Sequence, residues 1–289
     1  MTGAAKFLIV TGDDFGLSPS INSAIIQAHT EGVLTGASLM VNGGAFAEAV
    51  SLARKHPELE VGIHLSLVRS PAALHHRNAP GLVDAAGQLP GNPVISGFRY
   101  FFDRSLRVQL AQEAEAQIRK FLDTGLVPSY LDGHLNFHVH PVVLEILLDL
   151  AEKYAIPFFR LPRENLIPSL RIDSRHFLQK TVYAGIYSRL CAHARKKIRA
   201  RGISHPDHFF GLLNIGNLDE AYFLRVIDAL EPGFTEIGTH PAISVPPELK
   251  RWAPDYRYRE ELHALTSPKV RERLAAIGVE LAGYRFLKR

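Results

Sequence analysis

The sequence predicts an α/β protein in which about seven parallel strands curl into one distorted (β/α) barrel covering 1–289. Three observations carry that expectation. Short apolar runs alternate with amphipathic helical stripes almost from end to end, which is the pattern of βα units. The units show no internal repeat, which favours a distorted barrel over an open sheet. Residues able to do chemistry fall where those runs end, and a parallel barrel gathers its strand ends on one face.

Phe7-Leu8-Ile9-Val10 is an apolar run of the length of a buried parallel strand. Ser18-Pro19 then has the form of a helix N-cap followed by proline at the first helical position, and Ile21, Ile25 and Ala28 recur at helical spacing. Ala37 to Val41 reads as a second strand, ending at Asn42-Gly43-Gly44. The stripe Phe46, Val50, Ala53 marks the helix after it, which stops near His56-Pro57. Glu60 to Leu65 is a third strand. From Ser70 to Gly97 the chain is rich in proline, glycine and alanine without a clean period, so the 70–97 stretch is expected to be a long functional loop.

Leu106, Leu110, Ala114, Ile118 and Phe121 define another amphipathic helix, closed at Thr124-Gly125. Tyr130-Leu131-Asp132 is a brief strand running into a histidine-rich segment, and Pro141 opens a helix carrying Leu144, Leu147, Leu148 and Ala151. Phe158 to Leu161 is the next strand, ended by Pro162. The region from Ile172 to His205 is helical and basic. A further βα unit leads to the strand Thr235 to His240, then to helices around Leu262 and Val270 and a short last strand at Val279 to Ala282.

Bulk properties narrow the function. With 46% hydrophobic and 21% charged residues the chain is an ordinary soluble globular protein. The single cysteine, Cys191, excludes an internal disulfide and suits the reducing cytoplasm. Met1 to Lys6 enters a strand at once, leaving no room for a signal peptide, and no apolar run reaches the length of a membrane span. A net charge of +4 is too small to indicate a nucleic-acid partner. No glycine-rich phosphate loop is present. Oligomeric state is not legible. Fourteen histidines are the compositional oddity.

The chemistry-bearing residues fall at four strand ends: Asp13-Asp14, His64, the cluster from Asp132 to His140, and His240. Adjacent aspartates repel, and at a semi-buried site one of them needs a cation, a proton or a basic partner. The plain alternative is that one caps the turn and the other faces water. A lone strand-end histidine is more often a hydrogen-bonded partner than a ligand, and His75, His76, His205 and His208 are read that way. Imidazoles and carboxylates together suit a divalent metal with an open coordination position.

Gly12-Asp13-Asp14-Phe15-Gly16, Gly62-Ile63-His64-Leu65 and Leu131-Asp132-Gly133-His134, with His138-Val139-His140 and Glu236 to Pro241, resemble the YdjC-type carbohydrate deacetylases over nearly the whole chain. The resemblance implies a distorted βα barrel that removes acetyl groups from N-acetylated amino sugars with one divalent metal ion. It implies Asp14, His64 and His134 as metal ligands and Asp13 as the base. The family's histidine-rich motif is commonly compact, whereas here Leu135-Asn136-Phe137 separates His134 from His138. His138 and His140 therefore stay open between substrate binding and metal ligation.

An amide resists hydrolysis, so its carbonyl must be polarised and a water made nucleophilic, and a metal does both. Asp13, beside Asp14, is placed to take the proton. His240 is the candidate acid for the departing amine. Arg160, at its own strand end, either holds Asp13 ionised and oriented or makes a structural ion pair. Phe15 and Trp252 are candidates for the floor of a sugar site, although aromatic residues more often serve a core. The donor set leans toward zinc, while the family resemblance points to magnesium. Two rivals remain: metal-dependent phosphoester hydrolysis, which needs more carboxylates, and a non-catalytic sugar-binding or regulatory protein on the same barrel.

Within the family, Arg160-Leu161-Pro162-Arg163-Glu164 and the Pro71 to Pro93 loop resemble the branch associated with hopanoid biosynthesis. This implies an N-acetylglucosaminyl hopanoid as substrate, with soluble chitooligosaccharides as the alternative. A lipid-linked sugar calls for peripheral contact with the inner membrane surface. The basic run Arg195 to Arg201 could meet anionic headgroups, and Leu212, Leu213, Phe101 and Phe102 could receive the lipid. A basic helix face is usually just solvated.

Overall fold

The first strand, β1 (Lys6–Phe15), lies at the centre of the sheet and is buried along most of its length. The computed structural model describes residues 5–288, so the expectation for the first four residues lies outside the described residues. Helix α1 (Pro19–Glu31) starts as the sequence predicts, with Ser18 Oγ accepting from the Ile21 backbone N–H at 3.4 Å and Pro19 in the first turn. It buries Ile21, Ala24, Ile25 and Ala28. Strand β2 (Gly36–Leu39), helix α2 (Phe46–Lys55) and strand β3 (Glu60–Leu65) follow.

The 70–97 stretch departs from expectation at its end. Up to Asn92 it holds only a 3-10 turn at His76–Asn78 and a single antiparallel bridge between Pro71 and Gln88, and there a helix, α3 (Pro93–Phe102), begins. The Asn92 side chain caps it, accepting from the N–H groups of Val94 and Ile95 at 3.0 and 3.1 Å. The irregular part is anchored from below. Glu113, fully buried on α4 (Leu106–Leu122), accepts from the Ala73 and Leu74 N–H groups at 2.7 and 2.9 Å. The predicted stripe of α4 from Leu106 to Phe121 is buried throughout.

Strand β4 (Leu131–Gly133) is short, and Pro141 opens α5 (Pro141–Lys153) as predicted. Phe158-Phe159 does not form a full strand. It joins the sheet by single bridges, Leu131 with Phe159 and Phe158 with Ser204. Helices α6 (Leu166–Ile172) and α7 (Phe177–Ala200) fill the basic region, and strand β5 (His208–Phe210) follows. Then come α8 (Glu220–Asp228), strand β6 (Gly233–Thr239), α9 (Tyr258–Thr266), α10 (Pro268–Ala276) and strand β7 (Val279–Leu281).

All pairings between these strands are parallel, in the order β4-β3-β2-β1-β6-β5, with β7 paired to the start of β1. The two single bridges carry the curl from β4 back toward the segment that leads into β5. The fold is thus a distorted (β/α) barrel whose ladder thins on one side. Its parallel strands deliver their C-terminal ends to one face.

Candidate active site

Successive side chains of a regular strand point to opposite faces, so Asp13 and Asp14 should diverge. They do not, because the register of β1 against β2 slips between Gly12 and Phe15 and Asp14 takes a left-handed φ of 63°. Both carboxylates therefore line the same cleft. The pair falls at the end of the strand, as the sequence predicts, and belongs to its last residues.

Three donors converge beside it. Asp14 Oδ1 lies 2.9 Å from His134 Nδ1 and 3.5 Å from His64 Nε2, and all three side chains are buried. These ligand atoms lie within 4.8 Å of one another, and the cluster combines one carboxylate with two imidazoles, a donor set suited to a divalent ion. Burial alone would raise Asp14, but His134 and His64 outweigh it and hold its carboxyl well below the usual range. His64 is itself held from behind: its Nδ1 lies 2.7 Å from Asp132 Oδ1. Burial disfavours the charged ring, yet Asp132 and then Asp14 push His64 up to about 10.

Asp13, His64 and Asp132 form a second group of comparable span. Its two carboxylates are already engaged by a cation. Arg160, 1% exposed, donates from Nη1 and Nη2 to both oxygens of Asp13 at 2.8 and 2.9 Å, and Nη1 lies 2.7 Å from Asp132 Oδ2. Its Nε donates to Glu236 Oε1 at 2.8 Å and Nη2 also donates to Thr11 Oγ1 at 2.7 Å. A metal on Asp13 and Asp132 would face this guanidinium at close range, so the Asp14 group is the better cation site. Arg160 both orients Asp13 and forms a buried ion-pair network, which joins the two roles open from sequence.

His240 stands on the other flank of Asp13, with Nε2 3.9 Å from Asp13 Oδ2, too long for a hydrogen bond. Its Nδ1 is buried without a hydrogen-bond partner. Burial lowers its pKa, with Asp13 and Asp14 opposing. Its backbone N–H donates to Glu261 Oε2 at 2.7 Å. Asp13, Asp14, His64, His134, Arg160 and His240 all line one cleft, whose remaining walls include Leu135, Phe209, Leu212, Ile215 and Trp252. Trp252 stacks against the guanidinium groups of Arg69 and Arg251, 4.3 and 4.6 Å from the ring centre.

The other sequence candidates lie elsewhere. Phe15 is fully buried in the core and does not line the cleft. His138 is buried beside Phe159 with both ring nitrogens unpartnered, and burial brings it down to about 4. His140 is tied under α3 through Nε2 and the Gly97 carbonyl at 3.0 Å. In the basic run, Lys197 pairs with Glu145, and Arg201 with Asp149 and Glu152 on α5. Phe101 and Phe102 are exposed, whereas Leu212 and Leu213 are buried.

Sequence reasoning gave no role to Asp132, Glu236 or Glu261. Asp132 stands two residues before His134, and Glu236 four before His240, a spacing that would share a face if each strand ran on to its histidine. That spacing was the available signal. Glu261 arrives from α9 and left none.

A parallel barrel with paired aspartates, two histidines and a clamped arginine at its strand ends falls in the class of barrel proteins whose chemistry sits on the C-terminal face. The YdjC-like protein family profile matches residues 7–276, and the chain belongs to that family. A protein of Geobacillus stearothermophilus named carbohydrate deacetylase is 31% identical over 286 residues, covering 97% of each chain. A human protein of the same name is 31% identical over 297 residues, covering 95% of this chain and 88% of its own. A Brevibacillus brevis protein, also so named, is 41% identical over 154 residues, so the chain spans 57% of that relative's length. Among solved structures, one from Enterococcus faecalis V583, provisionally named a cellobiose-phosphate cleavage protein, superposes with a TM-score of 0.75. It is 27% identical and the match covers 98% of this chain and 99% of that one.

Proposed function

We propose that this protein hydrolyses the acetamide of an N-acetylated amino sugar, with one divalent metal ion held by Asp14, His64 and His134. The observation that carries the reading is the convergence of those three donors beside an aspartate that Arg160 grips by both oxygens. The name shared by the full-length relatives supports the same chemistry. When bound, a divalent ion supplies Lewis-acid chemistry, polarising a carbonyl and making water more acidic.

The chain's own residues do the rest. Asp13 takes the proton of the attacking water, and the arginine fork keeps its carboxylate ionised and aimed into the cleft. His240 delivers a proton to the departing amine, so that acetate and a free amine leave. Asp132 keeps the Nδ1 proton of His64 engaged and leaves Nε2 facing Asp14. The carboxylate and imidazole donors favour zinc, with magnesium as the competitor.

The apolar cleft walls at Leu135, Phe209, Leu212 and Ile215 favour a sugar carried on a hydrophobic aglycone, such as an N-acetylglucosaminyl hopanoid, over a free chitooligosaccharide. The deciding experiment measures metal content and acetate release on chitobiose and on the glycolipid in detergent. Wild-type protein is expected to hold one metal and release acetate. Asp13→Asn is expected to keep the metal and lose turnover by roughly two to four orders of magnitude. Metal-independent acetate release would sink the metal reading. No release from either substrate would leave a non-catalytic sugar-binding role.

A further inference from the structure

Two helices flank the mouth of the cleft, and both turn apolar faces to solvent. On α3, Val94, Phe98 and Phe102 are 66%, 64% and 73% exposed; on α7, Leu178, Val182 and Ile186 are 75%, 50% and 49% exposed. Each trio falls at i, i+4 and i+8, so each forms one continuous stripe along its helix. Scattered exposed apolar residues need no explanation, but two ordered stripes beside one opening do. The segment that leads into α3 reaches the cleft where Gly91 approaches Trp252, and α7 reaches it where Ala184 clusters with Phe209 and Leu212.

The charge around the stripes is one-sided. Residues 163–201 hold ten basic side chains; Arg175 and Lys180 pair with Asp173, and Lys197 and Arg201 with acids of α5, while Arg163, Arg171, Arg189, Arg195, Lys196 and Arg199 make no ion pair among the described residues. Arg99, Arg104 and Arg107 stand beside the α3 stripe with Asp103 the sole acid between 93 and 107. A second copy of the chain would set this basic surroundings against itself. An anionic bilayer offers what both features want, apolar depth for the stripes and negative headgroups for the rim. No helix among the described residues is long and apolar enough to cross a membrane, so the association is peripheral.

We propose that α3 and the first half of α7 form a bilayer-docking face that sets the cleft mouth against an anionic membrane surface. It deepens the deacetylase reading by presenting the cleft to a lipid-borne sugar, but docking is measurable without catalysis. The test is co-sedimentation of the full chain with phosphatidylcholine vesicles, with and without phosphatidylglycerol, while the fluorescence of Trp252, the chain's one tryptophan, is followed. Wild type is expected to pellet with the anionic vesicles, less so at high salt, and Trp252 emission to shift to the blue. The doubly substituted Phe98→Glu/Leu178→Glu protein is expected to bind roughly ten-fold or more weakly while melting normally and turning over soluble chitobiose at the wild-type rate. Wild type remaining in the supernatant, or the variant pelleting equally well, would overturn the proposal. So would light scattering that shows a wild-type dimer split by the same substitutions. Vesicle binding by wild type with no acetate released from either chitobiose or the glycolipid would instead count against the deacetylase reading alone.

Discussion

Asp132 holds His64 through a 2.7 Å contact between Oδ1 and Nδ1, and this leaves His64 Nε2 pointing at Asp14. A carboxylate in that position fixes both the tautomer and the ring angle of a ligating histidine. Asp132→Asn is expected to weaken metal binding by about 10- to 100-fold, with activity recovered at high metal concentration. Equal metal affinity in the two proteins would remove Asp132 from this role.

Metal binding is also expected to expel a proton. His64 is pushed up to about 10, against the burial that opposes it, by Asp132 and Asp14. Near neutral pH its ring is therefore charged, and a ligand nitrogen must be free of its proton. Metal affinity should rise by about one decade per pH unit until the pH approaches that value. Calorimetry in buffers of different ionisation enthalpy counts the protons released. A count of zero would show that His64 keeps its proton and does not bind the metal.

Arg160 is not replaceable by another cation. Arg160→Lys keeps the charge but cannot grip both oxygens of Asp13 while reaching Glu236 and Asp132. Turnover is expected to fall about 100-fold from the lost aim, with metal content unchanged. Arg160→Met leaves buried carboxylates unpaired and should cost about 3–5 kcal/mol in urea unfolding. A lysine variant with full turnover would reduce Arg160 to an ion-pair role.

His240→Ala should spare the metal and lower kcat, less so for substrates whose amine leaves easily. Equal loss for activated anilides and for amino sugars would show that His240 does not protonate the leaving group.

Glu261 sets a stability limit at higher pH. Burial raises its carboxyl from 4.5 to about 7, against the His240 and Leu218 N–H groups that favour the anion. The folded state thus keeps a proton that the unfolded chain gives up. This contribution is complete below about 4.5 and is lost as pH rises through about 7, a change on the order of 3 kcal/mol. Glu261→Gln, which does not titrate, should show a smaller fall in unfolding free energy between pH 5 and pH 8. Parallel declines in the two proteins would show that Glu261 ionises normally.

Elements with an inward stripe were legible from the sequence. Leu106 to Phe121 and Leu144 to Ala151 face the core at helical spacing, and the helices formed where that spacing ran. Helix α3 was hidden because only Ser96 and Tyr100 of its ten residues are buried, so its pattern faces outward. Phe158 to Leu161 looks like a strand because it is apolar, yet it meets its neighbours only at single bridges. In the site, the residues at strand ends were readable one by one. Of the partners of Arg160, Asp13 was expected from its place at a neighbouring strand end, but Glu236 was not: it lies 76 residues away, and no local period links the two.

That reach has a consequence for how the chain assembles. The guanidinium of Arg160 becomes satisfied only after β1, β4 and β6 have all arrived, and the last of these is synthesised long after the arginine itself. Contacts of such sequence separation form late, since loop closure must precede them. Until β6 docks, a collapsed intermediate would enclose a cation with too few partners, which is costly. The buried arginine at the barrel's mouth therefore penalises compact states that lack β1, β4 or β6.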